Sequence, residues 1–352
     1  MLRNEIIYFF LCLSILIILL SLLLVYLMIR KARENKRKAK IEDYKEKHRE
    51  QMFAYIYKNQ TTRMLVPDNE LKLQAIEELL GDFANVLSGE QAERNITGFA
   101  TDHFVDYYRE NLSSRRWSQR MNTLYMIEDF NLSLLMPEVL QLYQSKKVTK
   151  SEESQILQLM SKFDYPDILD KIQSSKFNLS EFTYRSIFNK MTPSTLEYTI
   201  AKYHQLPYDL QLPLIDIIGV KNLIHKGPFL EKLLRESSGK EETKIRILKV
   251  ISEIGYPLPN ELVEKFLQSS NWAIRMMAAK VCGTLREDVL LPYLKPLLID
   301  EHFSVRTQAA RSLLLYPNGK ELLEEIIKTT DDMYARDMAI DWLERGTNYE
   351  LR

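Results

Sequence analysis

The stretches NWAIRMMAAKVCGTL (271–285), HFSVRTQAARSLLLY (302–316) and MYARDMAIDWLERG (333–346) align without a gap on Arg275, Arg306 and Arg336. One step upstream, TKIRILKVISEIG (243–255) puts Arg246 in the same slot, so successive arginines are 29, 31 and 30 residues apart. A fixed period of about 30 residues is the mark of a repeat architecture. Within each stretch the apolar residues recur at three and four, the period of a helix with one buried face.

Between these helices lie shorter amphipathic ones: GPFLEKLLRESS (227–238), PNELVEKFLQSS (259–270), DVLLPYLKPLLID (288–300) and GKELLEEIIKTT (319–330). Each starts at or near a Pro or Gly, as helix starts and the turns before them should. A unit is therefore two antiparallel helices. One such pair cannot bury its apolar face alone, so neighbours must stack into a solenoid with a continuous core. Upstream, Arg120, Gln155, Arg185 and Gln211 occupy weaker echoes of the arginine slot. No segment alternates with period two, and the expected fold class is all-α.

The stretch DVLLPYLKPLLIDEHFSVRTQAARSLL (288–314) resembles the HEAT repeat, and in particular the short bacterial form also seen in phycobilisome-lyase-type repeats. The residues carrying the resemblance are Pro292 in the first helix, Asp300 closing it, Val305 and Arg306 opening the second, and the small pair Ala309 and Ala310. It extends over about 205–346, with Ser269 where the family would have Asp, and thins before that. The resemblance implies that the repeat arginines pair with turn acids and neighbouring repeats. It equally suggests a ladder along an inner surface, so Arg246, Arg275, Arg306, Arg336 and Asp300 are the candidate interaction residues.

The N-terminal end has a different character. IIYFFLCLSILIILLSLLLVYLMI (6–29) is 24 residues without a charge, which as a helix rising 1.5 Å per residue spans about 36 Å, enough to cross a bilayer with some tilt. A cleaved signal peptide would need a shorter apolar core and a small-residue cleavage site, and both are missing. Directly after it, RKARENKRKAK carries Arg30, Lys31, Arg33, Lys36, Arg37, Lys38 and Lys40 against Glu34 alone, while only Arg3 precedes the apolar run. The positive-inside rule then puts the C-terminal body in the cytoplasm. The expected organisation is a short extracytoplasmic tail (1–5), a transmembrane helix (6–29), a basic juxtamembrane segment and helical stalk (30–66), a capping helix region (67–97), the solenoid (98–346) and a C-terminal tail (347–352).

Composition narrows the function classes. Of the 352 residues 45% are hydrophobic and 27% charged, and Gly and Pro are sparse at 10 and 12, as in a folded helical chain. The net charge of zero conceals 11 Lys/Arg against 6 Asp/Glu in residues 1–50, and 37 against 42 in the rest. A mildly acidic body argues against nucleic acid, even though Trp117 with Arg115, Arg116 and Arg120 makes one local basic cluster. Two cysteines, Cys12 and Cys282, allow no disulfide framework. The five histidines are scattered, and none is followed by Glu, whereas deoxyhypusine hydroxylase, a HEAT-like enzyme, is built on His-Glu dyads. No cofactor, metal site, catalytic constellation or small-molecule substrate is expected. The reading is a single-pass membrane protein whose cytoplasmic HEAT-like scaffold binds a protein partner, such as a membrane enzyme or transporter. Two alternatives stay open: a phycobilin-lyase-like cofactor-binding enzyme, and a peripheral module that binds anionic lipid.

Overall fold

The capping signals in the sequence are used as written. Asn69 closes the first turn of one helix by accepting from the Lys72 amide, Ser180 does so for Thr183, Thr192 for Thr195 ahead of Pro193, and Asn271 for Ala273 and Ile274. Each side chain takes up an amide that has no partner within its helix. Gly255 ends another helix at φ 66°, in the left-handed region that glycine enters without penalty. The computed structural model describes residues 2–58, 60, 63–236 and 240–349. These form eighteen α-helices joined by turns and short 3₁₀ segments, with no strand among the described residues.

The chain divides into two units, residues 1–156 and 157–352. The first contains α1 (Leu2–Lys58), α2 (Glu70–Val86), α3 (Glu90–Ser113), α4 (Trp117–Asp129), α5 (Met136–Gln144) and the start of α6 (Lys150–Lys162). Its core is aromatic: Phe99, Phe104, Tyr108 and Phe130 are at most 2% exposed.

α1 is one unbroken helix of 57 residues, about 85 Å long at 1.5 Å per residue. It is long and apolar enough to cross a membrane: its most apolar stretch has mean hydropathy 2.6 and none of that stretch is buried. The segment read as a stalk continues the same helix. Its last turns join the first unit's core through Ile41, Met52 and Ile56, while the buried stem of Lys45 carries its ammonium to Asp82 at 3.0 Å and to Glu78 at 3.7 Å. The boundary expected at 97/98 falls inside α3, because Ile96, Phe99 and Ala100 lie on one buried face. Of the expected terminal tails, 2–5 belong to α1 and 347–349 to the last helix, whereas 1 and 350–352 lie outside the described residues.

The second unit continues with α7 (Ile168–Gln173), α8 (Glu181–Lys190), α9 (Pro193–Ala201), α10 (Tyr208–Val220), α11 (Gly227–Glu236), α12 (Glu241–Ile254), α13 (Asn260–Leu267), α14 (Trp272–Leu285), α15 (Leu291–Leu294), α16 (Phe303–Leu314), α17 (Gly319–Thr329) and α18 (Met333–Tyr349). The even-numbered helices from α8 pack each on the next, which is the stacking a solenoid requires. Small residues permit the close approach of α14 and α16. Ala278, Ala279, Ala309 and Ala310 are fully buried, and a Cβ added at Gly283 would fall 2.8 Å from Ser312 Oγ.

One expected helix is broken. Residues 288–300 form a 3₁₀ turn, the four-residue α15 and a second 3₁₀ turn, Lys295–Ile299. Pro296 has no N–H to donate, and a proline ring collides with the carbonyl four residues back, so the α-helix gives way to a 3₁₀ turn at this point, although α10 accommodates Pro213 in its interior.

Candidate functional site

The repeat arginine stands at the fourth position of α14, α16 and α18, one turn in from the loop that precedes each. From there the side chain folds back over that loop. Arg275 donates from Nη1 to the carbonyls of Ser269 at 2.8 Å and Ser270 at 3.1 Å. Arg306 donates likewise to Asp300 at 2.7 Å and Glu301 at 3.2 Å, and Arg336 to Thr330 at 2.6 Å. Carbonyls of the preceding loop have no helical partner, and a forked cation five or six residues on satisfies them. Arg275 also reaches forward to the next turn, gripping Asp300 through two bonds of 2.6 and 2.9 Å.

The upstream echoes do comparable work. Arg120 holds the Ser114 carbonyl at 2.8 Å and Glu152 at 2.7 Å; Gln211 donates to Tyr203 and Leu206. Arg246 binds Asp216 and Glu181, each at 2.6 Å, and Arg185 approaches the same Asp216 oxygen at 3.5 Å. The candidate ladder is thus committed to backbone carbonyls and carboxylates within the repeats.

Burial disfavours the charged form of Asp300, but the Arg275 guanidinium and the His302 N–H outweigh it and hold the carboxyl below its usual value. A depressed folded-state pKa gives stability that is complete above the unfolded value, near 3.9, and fades as pH falls through the folded one. Asp300→Asn is therefore expected to flatten the acid limb of the melting-temperature curve below about pH 4. Melting wild type and variant across that range checks this, and parallel curves would remove the pair from the account.

The residue type the sequence reading missed stands three positions before the arginine. In the second unit this slot holds Phe182, Tyr208, Trp272, Phe303 and Met333, with Tyr334 beside the last, and all are exposed; Phe303 is 65% and Trp272 39% accessible. Trp272 stacks one face on His302 at 5.2 Å and leaves the other open. The Arg306 guanidinium lies 5.0 Å from the Tyr334 ring and 5.8 Å from Phe303, and Lys240 lies 5.4 Å from Tyr208. In α12 the slot is Thr243, which is buried. The signal was present in the columns NWAIR, HFSVR and MYAR once they are stacked on the arginine.

The basic run lies elsewhere, on α1. Arg30, Lys31, Arg33, Lys36, Arg37, Lys38 and Lys40 are all exposed; Lys38 pairs with Glu34 at 3.4 Å and Arg37 with Glu70 at 3.3 Å. Among the described residues no group of three or more His, Cys, Asp and Glu is placed to hold a metal ion.

Residues 227–314 match the family described as HEAT repeats. No curated protein matches it. Similar solved structures include an engineered protein at 14% identity, covering 78% of this chain and 80% of the other with a TM-score of 0.34. Human deoxyhypusine hydroxylase in complex with glycerol is 13% identical, with coverages of 71% and 99% and a TM-score of 0.28. A second engineered protein is also 13% identical, with coverages of 77% and 96% and a TM-score of 0.25. At such scores these likenesses bear on neither activity nor partner.

Proposed function

We propose that this chain is a membrane-anchored scaffold: α1 fixes it in a bilayer with the body in the cytoplasm, and the second unit holds a protein partner along the exposed aromatic slot. The observation that carries the reading is the slot itself. A large apolar side chain stands exposed three positions before the arginine in the successive helices α14, α16 and α18, and again in α8 and, before Gln211, in α10. Phe, Tyr, Trp and Met are the residues that anchor protein interfaces, and repeating them at one position per helix pair offers several weak contacts to one extended partner. The anchor adds effect by confining both partners to the layer beside the membrane, which favours a membrane-associated partner. The ladder arginines organise this edge, and the basic run Arg30 to Lys40 sets the topology. Nothing in the site assembles a nucleophile, a base and an orienting group, so the work proposed is binding, not chemistry.

The test places a photo-crosslinking phenylalanine analogue at Phe303, and separately at Tyr334, in the full chain in native membranes. Both positions are expected to crosslink one and the same membrane-associated protein, with the yield lost on Trp272→Ser. Absence of any crosslink, or unrelated products from the two positions, would remove the slot as an interface. Release of the chain by alkaline carbonate would separately remove the anchor.

A further inference from the structure

The first unit carries cations that neither the repeat framework nor the proposed interface uses. They lie in two loops, SSRRWS (113–118) and SKKVTKS (145–151), which together hold five basic residues and no acid. Arg115, Arg116, Lys146, Lys147 and Lys150 are all exposed, and none forms an ion pair with a described residue. Such a concentration is unlike the rest of a body in which acids outnumber bases. The two loops are neighbours: the exposed Trp117 donates from Nε1 to Thr149 Oγ1 at 3.2 Å, and beneath them buried Arg120 and Glu152 tie one loop to the other.

Their position follows from the helix directions. Arg37 pairs with Glu70 and Lys45 with Glu78 and Asp82, so α2 runs alongside α1 in the same direction. Asn95 donates to the Ile56 carbonyl, the Tyr55 and Phe99 rings meet at 5.2 Å, and Tyr108 donates to Glu77; α3 therefore runs back toward the apolar end of α1. Arg109 binds Glu138 at 2.6 Å and α5 follows α3 upward, while Thr97 Oγ1 on the Phe130 carbonyl sends α4 down. Both basic loops thus cap the end of the unit that faces the apolar run. Tyr108 is level with about Tyr44, and the six residues to Ser114 climb about 9 Å, to the level of Lys38. That is about 14 Å beyond Ile29, a distance that arginine and lysine side chains of about 6 Å shorten to within one Debye length, about 8 Å, of the headgroups.

The geometry points to a membrane-docking face: Arg115, Arg116, Lys146, Lys147 and Lys150, with Trp117 among them, rest on the phosphate headgroups of an anionic leaflet, in one layer with the basic run of α1. The inference rests on the anchored reading above. It commits to lipid because charge and place agree. Cations attract an anionic surface, an exposed tryptophan suits the headgroup zone, and the helix holding the apolar run brings both there without a hinge. An acidic protein segment would satisfy the charges but would have no reason to lie level with Lys38. The consequence is orientation: a body held at a second place on the membrane cannot swing freely about α1.

The test uses the full chain with Trp272→Phe and Trp342→Phe, leaving Trp117 as the sole tryptophan. It is reconstituted in nanodiscs of phosphatidylcholine alone, or of phosphatidylcholine with phosphatidylglycerol, each doped with a headgroup-level nitroxide quencher. Trp117 fluorescence is expected to be quenched in the anionic discs, to recover when Arg115, Arg116, Lys146, Lys147 and Lys150 are all changed to Gln, and to recover in high salt. Hydrogen exchange of 113–118 and 145–151 in the wild-type chain gives the same comparison without the tryptophan changes, with slower exchange expected in anionic discs. Retention in the disc through a high-salt wash reports the anchor independently. A chain that is retained but shows equal quenching and equal exchange in both lipids overturns the docking face alone. A chain that washes out overturns the anchor and the docking face with it. Transfer of protection to an added acidic protein, with none from lipid, assigns the loops to that partner and likewise overturns the proposal.

Discussion

Glu152→Ala is expected to destabilise the first unit by about 3–5 kcal/mol, the usual cost of leaving one member of a buried ion pair behind. The Arg120 side chain is 5% exposed and that of Glu152 is not exposed at all, and the Nε to Oε1 distance is 2.7 Å. The second Glu152 oxygen accepts from both the amide and the hydroxyl of Thr149 at 2.8 Å, so its removal also unties the 145–151 loop. Chemical denaturation followed by a probe confined to residues 1–156 measures the loss. The double variant Arg120→Met with Glu152→Leu should recover the part due to the unpaired Arg120 charge and leave the part due to the untied Thr149 loop. A loss below about 1 kcal/mol for Glu152→Ala would mean that water reaches the pair.

Ala309→Asp is the corresponding experiment on the second unit. Ala309 has no exposure, on a helix that packs against α14, α17 and α18. A carboxylate there has no donor and must either be protonated or force the helices apart, at a cost on the order of 4 kcal/mol. Stacked repeats feel such a defect mainly at nearest neighbours. Hydrogen exchange is therefore expected to accelerate across α14 to α18 while α8 to α10 keep their protection. Unchanged melting and exchange would show that Ala309 does not face the packed side and that the repeat register is displaced.

The repeat was legible between Arg246 and Arg336 because helical spacing, the small pairs and the punctuating prolines all repeat there together. It faded upstream, where the slot is filled by Arg120, Gln155 and Gln211. Gln211 donates to loop carbonyls as the arginines do, whereas Gln155 donates to the Glu128 carboxylate, so the job survives only in part as the letter changes. Pro292 reads as lying within one helix over 288–300. Pro296, four residues on, was the warning that the helix would break. Trp272, in the first turn of its helix, lies at the edge of the stack, 39% exposed and stacked on His302 of the next repeat. The HEAT resemblance implies pairing for the ladder arginines but does not name their individual partners. Arg246 reaches Glu181, 65 residues away, and only the stacking of alternate helices brings those two together.

The apolar run, the basic run after it and the helical period are local properties, set by the order of residues along a few turns, and so the all-α class and the long N-terminal helix could be read directly from the letters. Which loops share an edge is another matter. Arg116 and Lys146 are 30 residues apart in the chain, and α1 is further from both. Their common level depends on α2 running with α1 and α3 running against it, which pairs such as Lys45 with Asp82 and Tyr108 with Glu77 record. Helix direction is decided by which buried faces fit one another across the core, and no single segment contains that information.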